Sequence, residues 1–376
     1  MTRVVIAPDS FKGTASAADA ATALAAGWRS VRPADELVLR PMADGGEGTL
    51  EAFESAVPGA RRMPLTVRGP VSAPVETHWL LLPDGTGVVE LAATSGITLL
   101  DPLDPLGAHT AGFGEAIAAA LDHGATRLLL ALGGSASSDG GVGALTVLGG
   151  RFLDASGDAV RPGNRGLGAL ARVDLSGVRP LPPDGAVILG DVTNPLLGEH
   201  GAAAVFGPQK GADAATVDML ESNLARLARL VPSGGRGQRE APVSRPADLA
   251  ARAGAGAAGG TGFGLLVWGA EMGGGASLVA GAVRLDDAIA GAGLVITGEG
   301  RFDGQSEAGK APTVVAALAR DAGVPTALVA GAITAEPRDF AASVALTALA
   351  GGGAAAMAEP LRWLEAAGAQ LARRLG

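Results

Sequence analysis

One pattern repeats along this chain: a short apolar run, a loop of Gly, Asp and Ser, then an Ala-rich amphipathic segment. Residues 3–7 run into Pro8-Asp9-Ser10-Phe11-Lys12-Gly13 and a predicted helix over about 16–30. Residues 36–40 run into Pro41-Met42-Ala43-Asp44-Gly45-Gly46-Glu47-Gly48, with a predicted helix over 49–55. The same rhythm takes 128–132 into the loop 133–141, 186–190 into 191–195, 294–297 into 298–301, and 326–329 into Gly331. Apolar strands that alternate with amphipathic helices predict an α/β protein with parallel sheets. In that architecture ligands bind beyond the C-terminal ends of the strands, where these loops would gather.

At 376 residues the chain is too long for one ordinary core, which predicts two domains. Val and Thr alternate over 61–83, as antiparallel strands entering a second domain would, and the simple strand–helix rhythm returns near Asp286. Residues 1–65 plus 287–376 are therefore expected to form one domain with a parallel sheet. Residues 66–286 would form a second, mixed α/β domain inserted in it, with the active site in a cleft between them. The stretch 232–260 mixes Pro, Gly, Ser and Arg with little periodicity and reads as a mobile, lid-like loop. A net charge of −9 argues against nucleic acid as a partner, since phosphate backbones need clustered basic residues. The absence of Cys excludes disulfides and thiolate chemistry and fits a cytoplasmic protein. No leader-like segment opens the chain, and no apolar stretch approaches the length of a membrane span, so no membrane partner is expected.

Three lysines, Lys12, Lys210 and Lys310, stand against twenty-six arginines, and each sits in a Gly-rich loop. The chain also has no Tyr and only three Asn, a bias under which a surface lysine would usually have been written as arginine. The survivors mark places where a compact ammonium is needed, such as a phosphate contact. Two familiar motifs carry less weight. Residues 304–311 match a P-loop except that Ala311 replaces the hydroxyl residue that should hold Mg²⁺, and the predicted strand ends too early to feed it. Residues 254–259 match the dinucleotide fingerprint, but no strand precedes them. The 133–141 loop is stronger. It follows a regular buried-strand candidate and can open a helix at Val142, so Gly133, Gly134 and Ser135 can offer backbone N–H groups to an anion. Asp139 could cap that helix or hold a metal.

Carboxylates cluster at strand ends: Asp9, Asp44, Glu47, Asp191, Glu299 and Asp303. Phosphoryl transfer needs a carboxylate to hold Mg²⁺ and often another to take the acceptor hydroxyl's proton. Asp191, just past a buried strand and before Thr193-Asn194-Pro195, is placed for the second role. The four histidines show no metal-ligand spacing, and no nucleophile-elbow sequence supports a Ser–His hydrolase. The inventory favours a phosphate-handling α/β enzyme that uses carboxylates, lysines and backbone amides.

The runs 6–13 and 41–49 resemble the bacterial glycerate kinase family of the first type. The resemblance continues through Glu90-Leu91-Ala92-Ala93-Thr94-Ser95-Gly96, Gly133-Gly134-Ser135-Ala136, Asp191-Val192-Thr193-Asn194-Pro195 and Phe206-Gly207-Pro208-Gln209-Lys210-Gly211-Ala212. It closes with Gly298-Glu299-Gly300-Arg301 and Gly309-Lys310-Ala311-Pro312, and all three lysines fall inside these runs. It implies transfer of the ATP γ-phosphoryl group to D-glycerate with Mg²⁺, giving 2-phosphoglycerate. It also implies a flavodoxin-like domain formed by both chain ends, with a second α/β domain inserted. Ser137-Ser138 stand where the family usually has Thr-Asn, and Ala111 where it often has an aromatic residue.

The roles that follow are expectations. Asp191, Lys210 and Lys12 would be catalytic, and Asp9, Ser10, Arg301 and Lys310 would bind glycerate. Gly133, Gly134, Ser135 and Asn194 would hold the nucleotide phosphates, and Asp44 or Asp139 the Mg²⁺. A 3-phosphoglycerate-forming kinase, a non-catalytic sugar-acid or nucleotide sensor, and a nicotinamide-dependent dehydrogenase are the alternatives; a monomer or a homodimer fits any of them.

Overall fold

The computed structural model describes residues 1–375 apart from residue 12, residues 233–245 and residues 304–309. Numbered along the chain, the strands are β1 (Arg3–Pro8), β2 (Glu36–Leu39), β3 (Arg61–Arg68), β4 (Pro74–Leu81), β5 (Thr86–Glu90), β6 (Arg127–Ala131), β7 (Arg151–Leu153), β8 (Arg172–Asp174), β9 (Ala186–Leu189), β10 (Glu271–Gly273), β11 (Leu294–Phe302), β12 (Thr326–Ile333) and β13 (Ala342–Ala345). The chain divides into two compact units. Met1–Asp44, Gly48–Pro58 and Gly274–Gly376 form the first; Gly45–Glu47 and Gly59–Gly273 form the second. Cuts at 65/66 and 286/287 would fall inside β3 and inside the helix Leu285–Ile289, and both elements stay whole within one unit.

The first unit's sheet has the order β13-β12-β11-β1-β2, with every pair parallel. Renumbered within the unit this is 2-1-3-4-5, the flavodoxin-like order, and its direction reverses between β1 and β11. β1 and β11 lie inside the sheet with helices over both faces, which is why Val4–Ala7 and Leu294–Gly298 are unbroken buried runs and not alternating ones. β11 continues to Phe302, five residues past the end predicted from its apolar run. Glu299 and Arg301 are thus strand residues two apart, on one face of the sheet, and not loop residues.

The second unit's sheet has the order β10-β9-β6-β5-β4-β3. β5, β6, β9 and β10 pair in parallel, while β3 and β4 are antiparallel as their Val and Thr alternation predicts. β7 and β8 form a separate two-stranded ribbon. Because β5, β6 and β9 run parallel, the loops that follow them leave from one edge of the sheet.

The lid expected over 232–260 needs correcting within its described residues. Pro246–Ala250 is helical, and a second helical segment, Ala257–Trp268, opens with a kink at Ala258, Gly259 and Gly260, whose φ angles are positive. Leu249, Ala250, Ala255 and Ala257 belong to the hydrophobic core of the second unit. The Gly-rich composition serves close packing there: a Cβ on Gly259 would fall inside contact distance of the Ser137 carbonyl, and one on Gly256 inside that of Pro195. The dinucleotide-fingerprint match at 254–259 is therefore a packing seam.

Close approach also decides how the terminal helices meet. Helix Ala17–Val31 packs on helix Pro360–Leu375 around Leu24, Trp28, Leu364 and Leu371. A Cβ on Gly27 would overlap the Glu365 carbonyl, and one on Gly368 the Leu24 carbonyl. Ala in a helix is worth about 1 kcal/mol over Gly by propensity, but overpacking against backbone costs about 1–3 kcal/mol. Gly27→Ala should therefore destabilise the protein, and chemical denaturation should show a lower midpoint. A raised midpoint would mean that the two helices can separate at little cost.

Candidate active site

Beyond the C-terminal ends of β1 and β11, where the first unit's strand order reverses, lies a cavity of about 290 Å³. Seven residues singled out in the sequence line it: Asp9, Ser10, Asp44, Glu299, Arg301, Asp303 and Lys310. Each reaches it for a local reason. The Asp9 amide donates to the Gly298 carbonyl at 2.8 Å, carrying the β1–β11 ladder one residue past the strand. The Asp9 carboxylate then accepts from the Ser10 amide at 2.6 Å. Phe11, buried under this turn, exchanges backbone hydrogen bonds with Ala15, which seats Ser16 as the N-cap of helix Ala17–Val31. Lys310 is the N-cap residue of helix Ala311–Asp321, and its ammonium lies 4.0 Å from the Glu299 carboxylate. Opposite charges thus share one small cavity, whose remaining wall is apolar around Leu346 and Met357. Lys12 and residues 304–309 of the P-loop match lie outside the described residues.

In the second unit the loop after β6 is bound from three sides. The Asp139 carboxylate accepts from the Thr110 amide (2.9 Å), the Thr110 hydroxyl (2.9 Å), the Gly141 amide (3.1 Å) and the Gly143 amide (3.0 Å). Asn164 donates through its side-chain amide to the Ser138 carbonyl at 2.8 Å, and Asn223 donates to Asn164. Lys210, only 3 % exposed, donates to Ser135 Oγ at 3.0 Å and to the Ser137 carbonyl. Burial pulls the Lys210 ammonium down to about 7, against a smaller opposing effect of Asp139. The Gly133 amide donates to the Gly45 carbonyl at 3.0 Å and the Ala136 amide to the Ser95 carbonyl at 3.0 Å. The amides of Gly134 and Ser135 make no hydrogen bond among the described residues, and Gly134 is exposed. Two adjacent free N–H groups on a rigid loop can receive an anion.

The sequence profile of the glycerate kinase family matches residues 4–376. The chain belongs to that family. It is 43% identical over 338 residues to a glycerate kinase of Bacillus subtilis (strain 168), covering 88% of this chain and 85% of that one. It is 40% identical over 337 residues to the glycerate 2-kinase of Escherichia coli (strain K12), covering 88% and 86%. A crystal structure of a protein from Salmonella typhimurium LT2 assigned as glycerate kinase 2 superposes with a TM-score of 0.78 at 36% identity, covering 100% of this chain and 98% of that one. A member of the glycerate kinase family is an enzyme, a kinase.

Set in the glycerate kinase family, the expected residues sort into three groups. Asp9, Ser10, Asp44, Arg301 and Lys310 come together in the first unit's cavity. Gly133, Gly134, Ser135 and Lys210 come together in the second unit's loop, but Gly133 has already spent its amide and Lys210 is turned into the loop. Asp191 lies on the loop after β9, and the Asn194 side chain donates to the His200 carbonyl at 2.7 Å, so its amide braces its own loop. Asp139 sits on the loop after β6 and accepts four hydrogen bonds there. A carboxylate that already accepts four hydrogen bonds has little lone-pair capacity left for a metal, so Asp139 staples the loop.

Thr110, Asn164 and Asn223 went unremarked in the sequence. The scarcity that marked the lysines also marks the asparagines, since two of the chain's three, Asn164 and Asn223, hold this loop. Among the described residues no three His, Cys, Asp or Glu side chains gather to hold a metal, and no helix is long and apolar enough to cross a membrane. Kinase Mg²⁺ asks less, one or two carboxylates plus substrate phosphates, and the hard oxygens of Asp9, Asp44 and Glu299 fit it.

Lys210 gives a pH test with a definite sign. Its folded value, about 7, lies below the ordinary lysine value of 10.5. Below pH 7 both folded and unfolded chains carry the proton and the full cost of burying the ammonium is present. Between pH 7 and 10.5 the folded chain releases it first, so this cost is relieved as pH rises. Denaturation of wild type and Lys210→Met at pH 6 and pH 9 should show wild type gaining a few kcal/mol relative to the variant at the higher pH. A pH-independent difference would contradict the burial argument.

Proposed function

We propose that this enzyme transfers the γ-phosphoryl group of ATP to the 2-hydroxyl of D-glycerate, with Mg²⁺. The observation that carries the reading is the first unit's cavity. It sets cations, Arg301 and Lys310, beside carboxylates, Asp9, Asp44 and Glu299, at the switch point of a flavodoxin-like sheet. A small hydroxy acid needs this mixture, a cation for its carboxylate and hydrogen-bond acceptors for its hydroxyls. The names of the bacillar and enteric relatives support the substrate class, and that of the latter supports the regiochemistry.

Phosphoryl transfer is mostly positioning and electrostatics, so the residues act by holding groups in place. Arg301 presents a planar fork to the glycerate carboxylate, with Lys310 as a second cation. Asp9 and Ser10, fixed by the turn after β1, orient the hydroxyls. Asp191 accepts the proton of the attacking hydroxyl. The free amides of Gly134 and Ser135 receive phosphate oxygens, and Lys210, Asn164 and Asp139 keep that loop from collapsing. Bound through Asp44, Mg²⁺ supplies neutralisation of the phosphate charge.

The test is D-glycerate-dependent ADP release by wild type, Arg301→Ala and Asp191→Asn. Arg301→Ala should raise KM for glycerate about 10²-fold with a smaller effect on kcat, since a bidentate ground-state contact is lost. Asp191→Asn should lower kcat by roughly 10²–10³ with KM little changed. Near-normal constants in a folded Arg301→Ala would remove the carboxylate fork from the account. ATP binding without glycerate-dependent release would favour a sensor.

A further inference from the structure

The second unit holds a separate cavity of about 440 Å³, walled by residues 151–153 and 157–163, by Arg68 and His109, and by the helix Val142–Val147. That volume falls in the range of small-molecule sites, roughly 300–1,000 Å³. Its charge is unusual for an acidic chain. Arg68, Arg151 and Arg161 line it against a single carboxylate, Asp158, whereas the whole chain carries −9. The three guanidinium groups are not equally occupied. Arg68 pairs with Glu115 at 2.6 Å. Arg151 reaches Asp174 only at 3.9 Å, beyond hydrogen-bond length, and Arg161 makes no ion pair among the described residues. Both nitrogens of His109 are engaged: Nδ1 accepts from the Ala111 amide at 3.3 Å, so Nε2–H donates to Ser72 Oγ at 2.8 Å. Val147, Phe152 and Val160 supply apolar surface. Cations over an apolar floor match an anion with a short hydrocarbon body.

We propose that this cavity binds a small polyanion, a phosphate ester or a polycarboxylate, and that its occupancy changes turnover through the loop after β6. Both walls grip that loop. On one side His109 is followed by Thr110, whose amide and hydroxyl hold Asp139, and the lining residue Gly143 donates to the same carboxylate. On the other side the lining segment ends at Gly163, and the next residue, Asn164, holds the Ser138 carbonyl. A ligand that draws Arg151 and Arg161 together shifts the segments that set the loop's position, which gives a second site coupled to the first. The coupling rests on the phosphate-binding role proposed for that loop; the binding does not.

Calorimetric titration of the full chain with citrate and with inorganic phosphate, at about 0.15 M salt to suppress surface attraction, tests the binding. Wild type should take up one anion, and Arg161→Ala and Arg151→Ala should each weaken it about ten- to a hundredfold, the loss expected for a charged hydrogen bond. Without added anion, both variants should keep wild-type glycerate-dependent ADP release. Tighter citrate would identify polycarboxylates as the class, tighter phosphate the phosphate esters. Failure of wild type to bind either anion, or equal affinity in all three proteins, would overturn the site. Binding that leaves KM and kcat unchanged at saturation would overturn the coupling.

Discussion

The parallel pairing of β1 with β11 is the constraint on which the first unit depends. Val4 to Pro8 lie in register with Leu294 to Gly298, so strands from opposite ends of the chain form the middle of one sheet. The order reverses at that seam, and the reversal opens the cavity that gathers Asp9, Glu299 and Arg301. Side chains and glycine tie this seam to its surroundings. Thr297 donates its hydroxyl to the Ala7 carbonyl at 2.9 Å, and Gly298 leaves room for both the Val329 carbonyl and the Phe11 ring. Strand pairing at the core and side-chain chemistry at the edge are thus successive parts of the same ladder.

The second unit follows a different logic, the immobilisation of a loop by buried polar groups. Burying an ammonium is unfavourable, and the neutral oxygens of Ser135 and Ser137 do not offset the full desolvation of Lys210, which is why its proton is loosely held. Asp139 is satisfied by four donors and Asn164 by carbonyl and amide partners. A loop held this way cannot relax to cover the Gly134 and Ser135 amides. Preorganised donors of that kind stabilise developing charge without reorganising when it appears.

Much of this was legible in the sequence because fully buried parallel strands are written as apolar runs, and Gly, Asp and Ser mark the turns that follow them. The two-sheet α/β organisation and most of the charged cluster in the first cavity could be read that way. The extension of β11 could not, because Gly298-Glu299-Gly300-Arg301 has the composition of a loop. Only the neighbouring strand shows why glycine is required there. Asn164 was hidden for another reason, since its partner is the carbonyl of Ser138, and a backbone acceptor distant in sequence leaves no mark in composition. Lys210 was found by scarcity, but its burial depended on packing that no local pattern encodes.

The identity of the product tests the proposed reaction most directly. Wild-type protein would be incubated with D-glycerate, ATP and Mg²⁺ and the mixture resolved by phosphorus NMR. A 2-phosphoglycerate signal should grow with that of ADP. A 3-phosphoglycerate signal would contradict the assigned orientation of the acceptor, and ATP left intact by folded protein would contradict the reaction itself.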